Sequence, residues 1–416
     1  MKRILLKDVV LDGKTTDVVI EGNRFARIGG AVEGVFDETI RGGGHLAIAP
    51  AFYNTHTHIA MTLLRGYADD LELGPWLNDH IWPTEARLTP EDVYHGTRLG
   101  LLEMIRTGSV FCCDSYPKQH LMARAVEEMK LRAAIGYMYF CPGDLSTNTC
   151  QESNRLLQEE AAACSERLML YHSPHAIYTV AEPALREIAE RHAGECIGIH
   201  AAETASEVED CRRQHDGLTP IAYLERCGLL GPRTILAHCV HLTDDDIAII
   251  ARTGSVIAHN PTSNLKLCSG MFRWEDACRA GCRVTIGTDG TASNNNLSMI
   301  EEIKFAALSA KAQSHCPTAG NAERIYRAAT VDGAHAFGLD AGEIAAGKLA
   351  DCLLVELDHP LMIADHSLVS NLVYSADSSV IHTVICDGNI LMQDHCVPGE
   401  EEILREARAV CRKLRH

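Results

Sequence analysis

Between residues 52 and 345, short runs of branched apolar side chains alternate with segments that open on a helix-capping residue, a pattern that restricts the chain to parallel βα units. Ile197–His200, Thr234–His238, Ser255–His259 and Val284–Thr288 read as buried strands, each ending beside polar residues. Helix starts are signalled at Thr89-Pro90-Glu91-Asp92, at Thr179 to Glu182 and at Thr243 to Asp246. At each, a hydroxyl stands three residues ahead of an acid, so the pair can satisfy two free backbone N–H groups. A chain of 416 residues with 46% hydrophobic content can bury a large core and exceeds the usual size of one domain. The expected fold is α/β, a (β/α)8 TIM-type barrel over residues 52–345 with its chemistry at the carboxyl ends of the strands.

The two ends read differently. Met1–Ile48 and Gly347–Gln393 carry short alternating strands and turn glycines at Asp12-Gly13, Glu21-Gly22 and Asp387-Gly388. Residues 1–51 and 346–416 are expected to build one small β-sandwich domain together. Glu400–Leu414, acidic in its first turn and basic in its last, complements a helix dipole and is expected to be a terminal helix.

A formal charge of −18 works against a polyanionic partner, since nucleic-acid affinity rests on Lys and Arg neutralising phosphates. Lys7 and Asp8 break the apolar run at the N-terminus, and no stretch of about 18 apolar residues follows, so neither a secretion signal nor a membrane span is read. The expected setting is cytoplasmic, without nucleic acid or membrane as partner. Seventeen cysteines with no paired C-x-x-C framework read as reduced thiols that pack as small hydrophobes.

The strongest chemical signal is Asn54-Thr55-His56-Thr57-His58. Strand alternation points residues i and i+2 to one face, so the two imidazoles can converge on one cation. Among 21 histidines a lone H-x-H pair says little, but His200, His238 and Asp289 each fall at the end of an expected barrel strand. Three neutral imidazoles and one carboxylate from this set suit zinc or ferrous iron at about 2.0–2.2 Å per ligand.

Pro50 to His58, His200-Ala201-Ala202-Glu203, Ala237-His238-Cys239-Val240-His241 and Gly287-Thr288-Asp289-Gly290 resemble the amidohydrolase superfamily over nearly the whole chain. Leu63 to Gly66, His259 to Leu267, Gly342-Glu343-Ile344, Gly347-Lys348 and Ala350-Asp351 further resemble its S-adenosylhomocysteine and 5′-methylthioadenosine deaminases. The resemblance implies that His56, His58, His200 and Asp289 bind one divalent metal per subunit, Zn2+ or alternatively Fe2+. It implies that Glu203 handles protons, His238 orients the attacking water, and Asp289 accepts the proton that water releases. It also implies hydrolysis of an adenosine-like nucleoside to its inosine analogue plus ammonia. Guanine, oxopurine and pterin deaminases and triazine hydrolases share much of the pattern and stand as alternatives, as does a protein whose metal only holds structure. No lysine occurs between Lys130 and Lys266, where dinuclear relatives need one to bridge two metals, and this favours a single metal.

For the substrate, Glu85 in Trp82-Pro83-Thr84-Glu85 matches the position that holds ribose hydroxyls, and His175 resembles a purine-contacting histidine. Arg155 matches an arginine that engages the carboxylate of S-adenosylhomocysteine, whereas a second such arginine is replaced near Tyr137. His259 is read as lining the pocket and His241 as a supporting residue, and Ser293 and Asn294–Asn296 receive no role. The partner is a small-molecule nucleoside, and family members often assemble, which leaves a homo-oligomer open.

Overall fold

In the computed structural model, residues 1–30 and 32–414 are described. The N-terminal residues form five strands, β1 (Arg3–Leu11), β2 (Lys14–Glu21), β3 (Arg24–Ile28), β4 (Glu38–Arg41) and β5 (Leu46–Pro50). One residue separates β5 from β6 (Phe52–His58), which opens the barrel. The barrel continues with β7 (Ser109–Asp114), β8 (Arg132–Tyr139), β9 (Leu168–Pro174), β10 (Ile197–Ala201), β11 (Thr234–His238), β12 (Val256–His259), β13 (Arg283–Ile286) and β14 (Asp289–Gly290). The C-terminal strands are β15 (Cys352–Glu356), β16 (Ile381–Cys386) and β17 (Asn389–Met392).

Strands β6 to β13 pair in sequence order, parallel throughout, which helical crossovers between neighbours require. The ring closes through β14, which pairs with β6 at Asp289↔Thr57 and Gly290↔His58. The sequence suggests one strand over Val284–Thr288, but the eighth strand is interrupted at Gly287. A Cβ there would stand 2.6 Å from Asn260 Oδ1 and 2.7 Å from the main-chain oxygen of His56, so only glycine lets the eighth strand come this close to the first.

The strands from the two ends form one eight-stranded sheet, in which β5 pairs antiparallel with β15, and β15 with β16. Strand alternation sorts its side chains. Cys352 and Leu354 face a small core with Ile4, Leu6, Ile20 and Phe25, whereas Leu353 and Val355 join the barrel's apolar interior. At this seam Asp351 accepts hydrogen bonds from the Tyr53 hydroxyl at 2.5 Å and from Arg132 Nε at 2.9 Å, with every partner buried.

Thr89 and Thr243 each close a capping box, on Pro90–Arg106 and Asp244–Thr253. Thr179 does not cap, and this corrects the sequence reading. The next helix, Glu182–Arg191, starts after Ala181 without a side-chain cap, and Pro183 removes one N–H that would need it. The Thr179 hydroxyl turns instead to His175 Nδ1 at 2.9 Å. Glu400–Leu414 is helical as expected and lies on Pro90–Arg106, where Glu406 takes Arg98 at 2.5 Å and Glu400 takes Arg106 at 2.7 Å.

Candidate active site

His56 and His58 project from the same face at the end of β6, His200 and His238 from the ends of β10 and β11, and Asp289 opens β14. Asp289 Oδ1 lies 3.4 Å from Nε2 of both His56 and His58, and His58 Nε2 lies 3.3 Å from His200 Nε2. Donor atoms 3.3–3.4 Å apart can share one ion at about 2.0–2.1 Å, the bond length zinc makes to imidazole and carboxylate. His56 is common to two such groups of three, one with His58 and His200 and one with His238 and Asp289. His56 Nε2 is buried and has no hydrogen-bond partner. The donor set therefore fits a divalent cation. Backbone strain marks the same ends: His238 (φ 71°), Asp289 (φ 60°) and Ala202 (φ 51°) all sit in the left-handed region without being glycine.

Supporting contacts aim each donor inward. His58 Nδ1 lies 2.8 Å from the Ser115 carbonyl and His200 Nδ1 2.7 Å from the His175 carbonyl, so Nδ1 carries the proton and Nε2 keeps its lone pair. Asp289 Oδ2 accepts the Ser263 hydroxyl at 2.6 Å and the Ser293 hydroxyl at 2.8 Å, which leaves Oδ1 towards the imidazoles. Burial pushes His56 down to about 4 and His200 well below the usual imidazole range, so both rings are neutral, as ligands must be. Burial alone would raise Asp289, but the facing imidazoles of His56, His238 and His58 hold it well below the usual carboxylate range.

Glu203 follows β10 and is 6% exposed, with Oε2 3.7 Å from His238 Nε2. Burial raises its pKa, aided by Asp289 and opposed by His238. Glu207 holds this turn by accepting the backbone N–H of Ala202 at 3.0 Å and of Glu203 at 2.8 Å. His238 is oriented from the other side by Asn264 Oδ1, 2.8 Å from its Nδ1.

These groups open into a cavity of about 360 Å³ with apolar walls that include Met61, Trp76, Trp82, Met138, Phe140 and Leu267. Trp76 and Trp82 flank a π-helical turn, Trp76–Ile81, that the sequence pattern did not reveal. Glu85 lines the cavity at 8% exposure, and neither its Oε1 nor the Tyr116 hydroxyl beside it has a hydrogen-bond partner. Burial raises Glu85 to about 7 against the pull of Tyr116 and Lys118. His175 also lines the cavity, stacked on Phe140 with ring centroids 4.6 Å apart, and burial pushes it down to about 3.

The sequence profile of the amidohydrolase family matches residues 47–391. The chain belongs to this family. A 5′-deoxyadenosine deaminase of Methanothermobacter thermautotrophicus is 44% identical over 94% of this chain and 91% of that protein. A 5-methylthioadenosine/S-adenosylhomocysteine deaminase of Archaeoglobus fulgidus is 40% identical over 99% of this chain and 97% of its own length. A crystal structure of an adenosine deaminase from Xanthomonas campestris with bound zinc superposes with a TM-score of 0.91 at 31% identity, covering 99% of this chain and 98% of that one.

Not every residue singled out in the sequence reaches the site of this amidohydrolase. His56, His58, His200, Asp289, Glu203, His238, Glu85 and His175 come together. Arg155 does not: it lies on the helix Gln151–Ala161, where its guanidinium forks onto Glu152 at 2.6 Å and Glu159 at 2.5 Å, partners that helical spacing supplies. His259 does not line the cavity either, and instead packs behind it against Phe272 and Trp274. His241 Nε2 is taken by the Ser269 carbonyl at 2.6 Å. Ser263, Asn264 and Ser293 are the supporting residues that sequence reasoning missed. Ser263 and Asn264 lie within the His259–Leu267 motif and Ser293 close to Asp289, but nothing in the sequence assigned them a contact.

Proposed function

We propose that the protein is a hydrolytic deaminase that replaces the exocyclic amine of an adenosine-type nucleoside with oxygen and releases ammonia. The observation that carries this reading is the meeting of Glu203 and His238, 3.7 Å apart, beside the His/Asp cluster in a cavity that also holds the buried Glu85 carboxylate. His56, His58, His200 and Asp289 hold one divalent cation in this reading, zinc by the donor set and ferrous iron as the alternative. A cation held there would lower the pKa of water towards neutrality and so supply hydroxide at neutral pH.

The chain's own residues do the rest. Glu203, kept protonated to higher pH by burial, gives its proton to a purine ring nitrogen as oxygen adds at the carbon bearing the amine. The amine then takes the proton that Asp289 accepted from the attacking water, the C–N bond breaks to release ammonia, and the proton of the added hydroxyl restores Glu203. His238 presents Nε2 to the incoming oxygen and stabilises the charge developing there. Glu85 accepts hydrogen bonds from two ribose hydroxyls. With Nδ1 engaged by Thr179, His175 turns Nε2 towards the purine. A free base would leave the buried Glu85 carboxylate with only Tyr116 and Lys118 to offset its burial, which favours ribosides. The names of the similar deaminases support the same substrate class.

In the same reading, residues 52–345 are the catalytic barrel, with residues 1–51 and 346–416 as its scaffold. The enzyme works in the cytosol on a small molecule, with neither nucleic acid nor membrane as partner. Among the described residues no helix is long and apolar enough to cross a membrane. The test is ammonia release by the zinc-loaded protein from adenosine, 5′-deoxyadenosine, 5′-methylthioadenosine, adenine, guanine and isoxanthopterin. Adenine ribosides are expected to lead. Turnover confined to free bases or pterins overturns the nucleoside assignment, and turnover of none overturns the deaminase.

A further inference from the structure

Resting on the nucleoside reading, we propose that the site selects adenine nucleosides with an uncharged 5′ substituent and excludes those whose 5′ group ends in a carboxylate or phosphate. The inner cavity shares Leu73, Leu77, Trp82, Tyr178, Glu203 and Leu267 with a second hollow of about 640 Å³. Among the described residues, no lysine or arginine lines either space.

The conclusion does not depend on the direction the 5′ group takes. Within the inner cavity it meets Met138 and Phe140, two residues apart at the end of β8, together with Pro117. Towards the outer hollow it meets the acids Glu72 and Asp210. Cations in the surrounding elements are engaged elsewhere. Arg155 is forked between Glu152 and Glu159, Arg213 is paired with Asp210 on the rim of the outer hollow, Lys266 reaches Asp69 at 2.6 Å, and Lys118 donates to the main-chain carbonyls of Glu85 and Leu88.

An anion that leaves water needs a counter-charge, and although Asn78, Thr204, Ser206, Gln214 and Ser269 offer polar groups along the outer hollow, among the described residues no lysine or arginine lines either space. An amino-acid tail would set its ammonium against Glu72 or Asp210 and leave its carboxylate beside like charge. A methyl or alkylthio group loses only water, and gains contact with Met138 and Phe140.

The test compares kcat/KM of the zinc-loaded full chain for 5′-deoxyadenosine, 5′-methylthioadenosine, 5′-butylthioadenosine, S-adenosylhomocysteine and adenosine 5′-monophosphate. The three uncharged nucleosides are expected within about tenfold of one another, and the zwitterionic S-adenosylhomocysteine and the anionic monophosphate at least about 100-fold lower, as a carboxylate or phosphate without a facing cation requires. S-adenosylhomocysteine or the monophosphate within about tenfold of 5′-methylthioadenosine overturns the proposal. So does 5′-butylthioadenosine falling as far as S-adenosylhomocysteine, because length and not charge would then set the limit. Calorimetric titration of the same compounds separates this proposal from the deaminase reading. Methylthioadenosine binding with S-adenosylhomocysteine at least about 100-fold weaker upholds charge selection even without turnover, and equal affinities remove it.

Discussion

Asn264 Oδ1 lies 2.8 Å from His238 Nδ1, so the imidazole beside Glu203 is held by a side chain 26 residues further along. With Nδ1 fixed on this carbonyl, Nε2 faces the cavity. Asn264→Ala is expected to lower kcat by about 10- to 100-fold with KM and metal content unchanged, the usual effect of losing a support behind a reacting group. Steady-state kinetics with metal analysis reads this, and a rise in KM alone would mean that Asn264 shapes the pocket and not His238.

Glu203→Gln keeps the volume of the side chain and its hydrogen-bonding capacity but has no acidic proton to give. Loss of general acid–base catalysis is expected to reduce kcat by about 100- to 10,000-fold. The metal content should be unchanged, because Glu203 is not one of the proposed ligands. A variant that keeps full activity would return the proton transfer to Asp289 or His238.

Glu85 gives the pH dependence. Burial raises its pKa from 4.5 to about 7, and it is the ionised form that accepts both ribose hydroxyls. KM for ribosides is therefore expected to be flat above that value and to climb as pH falls through it, while Glu85→Gln shows a higher KM without the inflection. The stability linkage has the opposite sense. A carboxyl with a raised folded pKa favours the folded state most below pH 4.5, and that contribution is lost as pH rises towards about 7. A KM profile unchanged by Glu85→Gln would show that the group lies away from the sugar.

Much of this site was legible because its main residues lie on regular elements. His56 and His58 are two apart on a strand, and His200 and His238 end strands whose apolar runs are unmistakable. Asp289 was legible from its motif, although its strand is only two residues long and is set by contact with β6. Where competing local chemistry existed, the reading failed: Thr179 had a nearer partner in His175, and Arg155 had glutamates three and four residues away. The walls at Trp76 and Trp82 and the supports at Ser115, Ser263 and Asn264 depend on contacts between elements far apart in the chain, which periodicity does not encode.

Ser263 and Ser293 both donate to Asp289 Oδ2, from different segments. Ser263→Ala is expected to weaken metal binding by about 10- to 100-fold, measured by competition with a chelator, and to lower thermal stability only when metal is present. The Ser263→Ala/Ser293→Ala double variant should lose more than either single change. Unaltered affinity in all three would mean that the main-chain contact of Asp289 to Thr57 is enough to orient the carboxylate.

Asp351 ties the terminal sheet to the barrel. Its carboxylate accepts the Tyr53 hydroxyl from β6, Arg132 Nε from β8 and, at 2.7 Å, the backbone N–H of Asp387 at the turn after β16. Asp351 and Arg132 are fully or almost fully buried, so removing the acid leaves the Tyr53 hydroxyl and Arg132 Nε without partners away from water, with Asp387 alone still paired to the guanidinium. Breaking such a pair from one side costs about 3–5 kcal/mol, more than the pair itself contributes. Asp351→Ala is expected to lose that much in urea unfolding, and Asp351→Asn less, because the amide oxygen still serves one donor. Both faces of β15 remain apolar, so the sheet should stay folded on Ile4, Leu6 and Phe25 while its docking on the barrel loosens. That separation would appear as a broadened or two-step transition. A single transition shifted by less than about 1 kcal/mol would mean that Leu353, Val355 and Ile381 hold the seam without the charge.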